Sequence, residues 1–560
     1  MDKNTLSNYG WIVIAVLVLS VMIALATPFG EYIKAGVEST TAGLFETQQS
    51  ALEAAGIIDN TEYIELSSEE DIYAISRVLA CDQIKYNHFG SSYAIKDDLD
   101  NFEYPSELTS DADKIQYLST ASYKLTSNIS LTLQQTNDTN YFMGIGSTQY
   151  PFKGIFNGNQ KTVTLSSNDN FKVNGNSDNN IGMFGYTENA TIKNLNVVTS
   201  NDLIVRRATK PANIGLLIGN SQKSHISNCN ATITDATVGV NYSSSETYVN
   251  ISYVGGLVGS STKSITENCT VNLVNSTLQA KGFDVDSDAT YGMFSVGGLI
   301  GNSASGSNNT DNIGAIGTQI YNCKVISKNT TQTDVIIATV ETGDELCAGG
   351  LVGMSYNNAV IKNCSVDIEK GNIVARKTGE IDNAKYGTQV GGIIGRLEHT
   401  GEIYNCNVNG NYLNIESQSN NTVTGGDSTT AGGIAGYAFG AYHRNVIALN
   451  KCSFNGNNTS TISAKTTTTT GRALAGGLAG YVAYKVADCN IKNVTISNQS
   501  PNSAKSFVGK LIGFWSDHNG YWMNGTYFTP DAPEIINSTT ENVITDVTSN
   551  VVVGEIYGRT

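Results

Sequence analysis

Seven of the nine cysteines, Cys229, Cys269, Cys323, Cys364, Cys406, Cys452 and Cys489, occur in one setting, Ile-x-Asn-Cys-x-Val or a close variant of it. Thiols that recur in one position could bridge, ligate a soft metal or fill space. Zinc requires closely paired ligands such as Cys-x-x-Cys, and the sequence has none. A disulfide requires Cα atoms about 4.4–6.8 Å apart. If each repeat makes two coils of a solenoid, neighbouring cysteines stand about 9.6 Å apart. The expectation is a column of free thiols that serve as small apolar fillers, with Leu195 in the equivalent place of an earlier repeat. Cys81 and Cys347 stand outside the pattern, which gives them no role.

The other reactive residues do not assemble into a catalytic set. His88, His225, His399, His443 and His518 are scattered singly, without a His-Glu-x-x-His motif. Asp284, Asp286 and Asp288 alternate as in a calcium loop, so calcium is the one cofactor considered. Ala289 stands where glycine should turn such a loop and Ser295 where a bidentate Glu is needed, which favours an ordinary solvated loop. Nothing places the cations Arg206, Arg207 and Lys210 beside these aspartates as a base. Near the C-terminus Phe514, Trp515, Tyr521, Trp522, Tyr527 and Phe528 cluster. Trp515, Tyr521, Trp522 and Tyr527 are candidates for stacking on sugar rings, and equally for plugging an exposed coil end. No catalytic residue is assigned, and the chain is not expected to be an enzyme.

Lys+Arg 34 against Asp+Glu 50 leaves a formal charge of −16, and no basic run makes the positive groove that phosphate backbones require, so nucleic acid is an unsuitable partner. Only 15% of residues are charged, so neutral amides and hydroxyls must cover the surface, as in many secreted β-proteins.

The elements that must position these residues follow from repetition. Gly-Gly-Leu/Ile-x-Gly occurs at 255–259, 297–301, 349–353, 391–395, 432–436 and 476–480, with degenerate copies at 181–185, 215–219 and 509–513. Successive starts lie 33 to 52 residues apart. The Ile-x-Asn-Cys element follows each of the first eight. Cys and the following Val share a strand face, whereas Ile and Cys, usually three apart, do not, so a corner lies between them. Asn suits it, since its short amide tolerates left-handed backbone angles. Short strands, corners and recurring inward residues predict an all-β fold, a right-handed parallel β-helix (solenoid). With about 20 residues per coil, this gives about 15 coils and a rod of about 70 Å. A propeller would need nine blades, beyond the usual range of about four to eight.

Trp11 to Phe29 is apolar and uncharged over 19 residues, which makes about 29 Å of helix and predicts a transmembrane segment. The alternative is secretion after cleavage near Ala26, where Ala24-Leu25-Ala26 has the small-x-small form. The expected organisation is a transmembrane helix continuing as an amphipathic helix over 1–58, a small α/β capping region over 59–175, the solenoid over 176–513 and an aromatic-rich C-terminal cap over 514–560.

The pentapeptides Gly255 to Gly259 and Gly297 to Gly301 resemble the GLUG motif of bacterial surface adhesins and of the non-catalytic part of certain immunoglobulin A metallopeptidases. The leader, with Ile64 to Ile75, Tyr123 to Leu131 and Pro151 to Asn159, resembles the capping region that precedes such repeats. The stretch Tyr9 to Gly56 looks loosely like the N-terminus of a pilin subunit, without its Gly-before-Glu processing signature. The resemblance implies a membrane-anchored, cell-surface adhesion or display protein with an extracellular C-terminal region. Its expected partners are glycan or matrix ligands, bound through the solenoid face or the insert loops near 304–318 and 422–430. The alternatives are a polysaccharide-cleaving β-helix and a pilin-like subunit that self-assembles.

Overall fold

The computed structural model describes residues 61–554, except 83–84, 86–94, 134–141, 143, 168–178, 206–211, 243–250, 283–292, 305–316, 341–344, 357–358, 379–386, 399–400, 421–428, 440–446, 458, 468–470, 484, 502–505, 516–520, 524–525, 529–534 and 548–551. The run Trp11 to Phe29, the segment near Ala26 and the amphipathic continuation lie outside the described residues. Among the described residues no helix is long and apolar enough to cross a membrane.

Four sheets run along the molecule: sheet I with 12 strands, sheet II with 15, sheet III with 10 and sheet IV with 9. Every pairing within them is parallel; one representative row runs Asn230↔Thr270, Thr270↔Lys324, Lys324↔Ser365 and Ser365↔Asn407. Each coil visits sheets I, II, III and IV in turn and then begins the next. The fold is a parallel β solenoid.

The register corrects the expected coil length. Equivalent residues of consecutive repeats are direct neighbours, so one repeat makes one coil, not two. Twelve strands in sheet I, at about 4.8 Å per rung, give a stack about 53 Å long. Of the residues that a 20-residue coil leaves over, some form sheet III, which packs on sheet II and on sheet IV, while the inserts near 304–318 and 422–430 lie largely outside the described residues. Its strands Glu345–Gly349, Thr388–Gly391, Thr429–Gly432 and Ala473–Gly476 are buried at every position. The coil is therefore filled by one of its own strands.

Glycine is required where sheet III turns into sheet IV. A Cβ on Gly391 would lie 2.0 Å from the Ile394 carbonyl oxygen, and one on Gly392 2.1 Å from that of Gly433 in the next coil. Close backbone approach, within and between coils, is what the pentapeptide serves. The corner between sheets I and II is built as the spacing predicts. Asn194, Asn228, Asn268, Asn322, Asn363 and Asn405 all have φ between 52° and 57°. Their side chains form a ladder, with Asn322 Nδ2 donating to Asn268 Oδ1 (3.2 Å) and Asn405 Nδ2 to Asn363 Oδ1 (2.8 Å).

Among the described residues, the helices α1 (Glu69–Val78), α2 (Ile95–Leu99) and α3 (Asp111–Thr120) stand near the first coils. Ser68 caps α1 in a reciprocal capping box with Asp71, and Ser110 caps α3. Buried Arg77 of α1 donates to Asp98 of α2. Sheet I already holds the strands Ile64–Leu66, Ser122–Leu125 and Ile155–Asn157, so the solenoid begins within the span read as a capping region. At the other end, Ile535–Ile536, Thr539–Val547 and Val552–Gly554 join sheets I, II and III, and the stack continues past Gly513.

Candidate functional site

The seven repeat cysteines form a column inside the corner between sheets I and II, each at most 1% exposed. Cys229 Sγ donates to the Ser227 carbonyl (3.3 Å) and Cys364 Sγ to that of Lys362 (3.3 Å), and the other five thiols repeat the bond two residues back. Because each repeat is one coil, the spacing of about 4.8 Å falls within the disulfide window, and the distance argument against bridges does not hold. All nine cysteines are nonetheless free thiols. Burial pushes the Cys229, Cys323 and Cys406 thiols well above their usual range. Sealed from solvent, the column is unsuited to nucleophilic chemistry.

Asp284, Asp286 and Asp288, and the basic residues Arg206, Arg207 and Lys210, lie outside the described residues, as do His88, His399, His443 and His518. His225 Nε2 lies 2.8 Å from Glu267 Oε1 on the outer side of sheet I. Among the described residues no group of three or more His, Cys, Asp or Glu could hold a metal ion. The C-terminal aromatic stretch falls in two places. Trp515 ends the strand Ile512–Trp515 of sheet IV, opposite Val482. Tyr521–Met523 and Thr526–Phe528 form a separate antiparallel pair in which Trp522 faces Tyr527 in register.

Two features escaped the sequence reading. The first is a buried charge cluster between sheets III and IV. Arg396 Nη1 donates to Glu345 Oε1, and Arg396 Nε to Glu398 Oε1 at 2.8 Å. Cys347, unassigned from sequence, lies beside them with Sγ 3.3 Å from Gln389 Oε1, and burial pushes its thiol up. The guanidinium carbon of Arg396 lies 5.1 Å from the centre of the Tyr437 ring. Tyr437 stacks on Tyr481 (4.5 Å, 13°), and Tyr481 on Phe514 (5.8 Å). The signal was present in one residue: Arg396 is a charge directly after a pentapeptide, where every other copy carries a neutral residue.

The second is the outer face of sheet II, where polar side chains pair from coil to coil. Asn230 Nδ2 donates to Asn196 Oδ1 (2.9 Å), Asn409 Nδ2 to Asp367 Oδ1 (2.6 Å) and Asn414 Nδ2 to Asn372 Oδ1 (3.0 Å). A depression of about 330 Å³ interrupts this face across four coils, between Lys328, Glu369, Asn411 and Asn455. It opens to solvent, and its size is at the low end of small-molecule sites.

A chain with this architecture is a repeat solenoid of the parallel β-helix class. The family model of the GLUG motif matches residues 386–412, which hold one full turn from sheet III through sheet IV and sheet I into sheet II. No curated protein matches the chain. Among solved structures, a candidate immunoglobulin A1 protease from Bacteroides ovatus is similar at 14% identity, covering 78% of this chain and 82% of that one, with a TM-score of 0.26. A likeness at that level carries nothing about this chain's chemistry.

Proposed function

We propose that the chain is a membrane-anchored rod at the cell surface that binds glycan or matrix polymers through its solenoid face. The observation that carries this reading is the outer face of sheet II. Amide and hydroxyl groups are held there at regular spacing by a packed core, and a wide polar face of that kind suits an extended, hydroxyl-rich polymer better than a small substrate. The apolar run Trp11 to Phe29 supplies the anchor in this reading. A glycan and matrix-protein array probed with the full chain tests it. Binding to at least one polymer class is expected, and an array without signal from folded protein would sink it.

A second reading, a polysaccharide-cleaving β-helix, draws support from Lys324 Nζ lying 2.6 Å from Asp367 Oδ2 on the same face, with Glu369 and Lys328 nearby. Lysines and carboxylates side by side on an open polar face are one part of what such an enzyme would need; calcium ligands are not supplied by the described residues. Depolymerisation of an acidic polysaccharide, abolished by calcium chelation, is what it predicts.

A further inference from the structure

We infer that the depression on sheet II is a subsite for a neutral saccharide unit, with Tyr412 as its aromatic flank. This rests on the glycan-binding reading above and narrows it to one place and one ligand class. Three independent observations converge on the site.

The first is backbone conformation. At the corner within sheet II, Asp235, Asn275, Asn493 and Asn542 take up left-handed angles that short polar side chains tolerate. Tyr412 adopts the same conformation, with φ 59°, next to Lys370 of the previous coil at 52°. A tyrosine in this region is uncommon, and its amide is held there by Asn457 Oδ1 at 3.2 Å. The ring is not kept for packing: Tyr412 is 45% exposed, one of two large hydrophobic residues so exposed among the described residues. A strained residue that displays an aromatic group to solvent points to a contact outside the chain.

The second is shape. The depression is lined by Asn411, the chain neighbour of Tyr412, and its lining also includes Gly410 and Gly456, which have no side chain to fill it; the Tyr412 ring stands beyond this lining, at its edge along the chain. The third is the set of available polar groups. Asp367 is already engaged by Lys324 (2.6 Å) and Asn409 (2.6 Å). The Lys328 ammonium, the Glu369 carboxylate and the amide nitrogens of Asn411 and Asn455 have no partner among the described residues. One cation, one anion and two amide donors give a site with no net charge that can both donate to and accept from hydroxyls. Acidic sugars would gain little there, and apolar ligands would leave these groups unpaired. Hydroxyls in the ring plane and a C–H face against an aromatic ring fit both halves of the site.

The test is calorimetric titration of the full chain with cellohexaose, mannohexaose and chitohexaose, using a polygalacturonate oligomer as the acidic control. At least one neutral hexasaccharide should bind and the control should not. Tyr412→Phe should keep the affinity. Tyr412→Asn should lower it about tenfold or more, with an unchanged or raised melting temperature, since Asn is the residue that this corner favours. Asn455→Arg, which fills the depression from an exposed position, should abolish binding. Affinity unchanged in Tyr412→Asn or Asn455→Arg overturns the subsite, as does preference for the acidic oligomer. Silence of all three hexasaccharides while the chain still binds a polymer on the array overturns the subsite and leaves the broader reading standing. Silence on the array as well overturns both.

Discussion

Arg396 of sheet IV and Glu345 of sheet III are joined by a hydrogen-bonded ion pair across the interface between the two sheets, with side chains only 5% and 3% exposed. An ion pair sealed inside a solenoid is stabilising only as a set. Arg396→Met removes the cation and leaves Glu345 and Glu398 buried together, so a loss of about 3–5 kcal/mol is expected in urea unfolding. The triple variant that also replaces Glu345 and Glu398 with Leu should recover most of it. A single variant that costs under about 1 kcal/mol would show that water reaches the cluster.

This pair also marks where sequence reading stops. The pentapeptides, the asparagine corners and the cysteine column are legible because each recurs once per repeat in a constant phase, and a solenoid turns constant phase into a ladder. The coil length was misread, although the same regularity held the answer. A two-coil repeat would need its corner and inward residues twice per unit, and Asn-Cys comes once. Sheet III was invisible because its strands, such as Glu345–Gly349, are short and end on the pentapeptide glycines. Tyr412 was hidden because its meaning lies in a backbone angle, visible only once Lys370 and Asn411 show which corner it occupies. Glu345 and Arg396 are 51 residues apart, and only the stacking of coils brings them together.

The corner asparagines should be replaceable by glycine but not by alanine. Asn363 has φ 56° and accepts the Asn405 amide through Oδ1 at 2.8 Å. Asn363→Ala forces a Cβ without a compensating amide into the left-handed region, at a cost of about 1–2 kcal/mol. Asn363→Gly should cost less, since only the ladder hydrogen bond is lost and the backbone is relieved. Chemical denaturation of the two variants side by side checks the order, and alanine proving the milder change would contradict it.

Alkaline pH should destabilise the fold through a buried thiol. Burial holds the Cys347 thiol, which stands apart from the column, protonated well above its ordinary range. In the unfolded chain the same group ionises near about pH 8.5. Above that point the folded state binds more protons than the unfolded one, so stability is complete at lower pH and falls as pH rises towards the folded-state value. The loss approaches about 1.4 kcal/mol per pH unit for this thiol. Urea midpoints measured between pH 7 and pH 10 should decline from about pH 8.5 upwards, and Cys347→Ala should make the decline shallower. A midpoint flat across that range would mean that the thiol ionises equally in both states.

The most direct test of the coil assignment is excision of one repeat. Asn230 and Thr270 occupy equivalent positions on adjacent strands of sheet II, so deleting residues 230–269 and joining Cys229 to Thr270 preserves the Cys-x-Val phase on both sides of the junction. The deleted stretch carries one strand each of sheets I, III and IV and takes sheet II from Asn230 to Asn241 with it. The buried cluster around Arg396 is untouched. If one repeat is one coil, the shortened chain should fold cooperatively and lose about 4.8 Å along the axis in small-angle scattering. If one repeat were two coils, the loss would be about 9.6 Å. Because each repeat contacts chiefly its neighbours, the expected stability cost is that of one inter-repeat interface and not collapse of the fold. A shortened chain that fails to fold, while single-residue variants in the same repeat do fold, would mean that the coils are not interchangeable units and that their equivalence ends at the level of the strand.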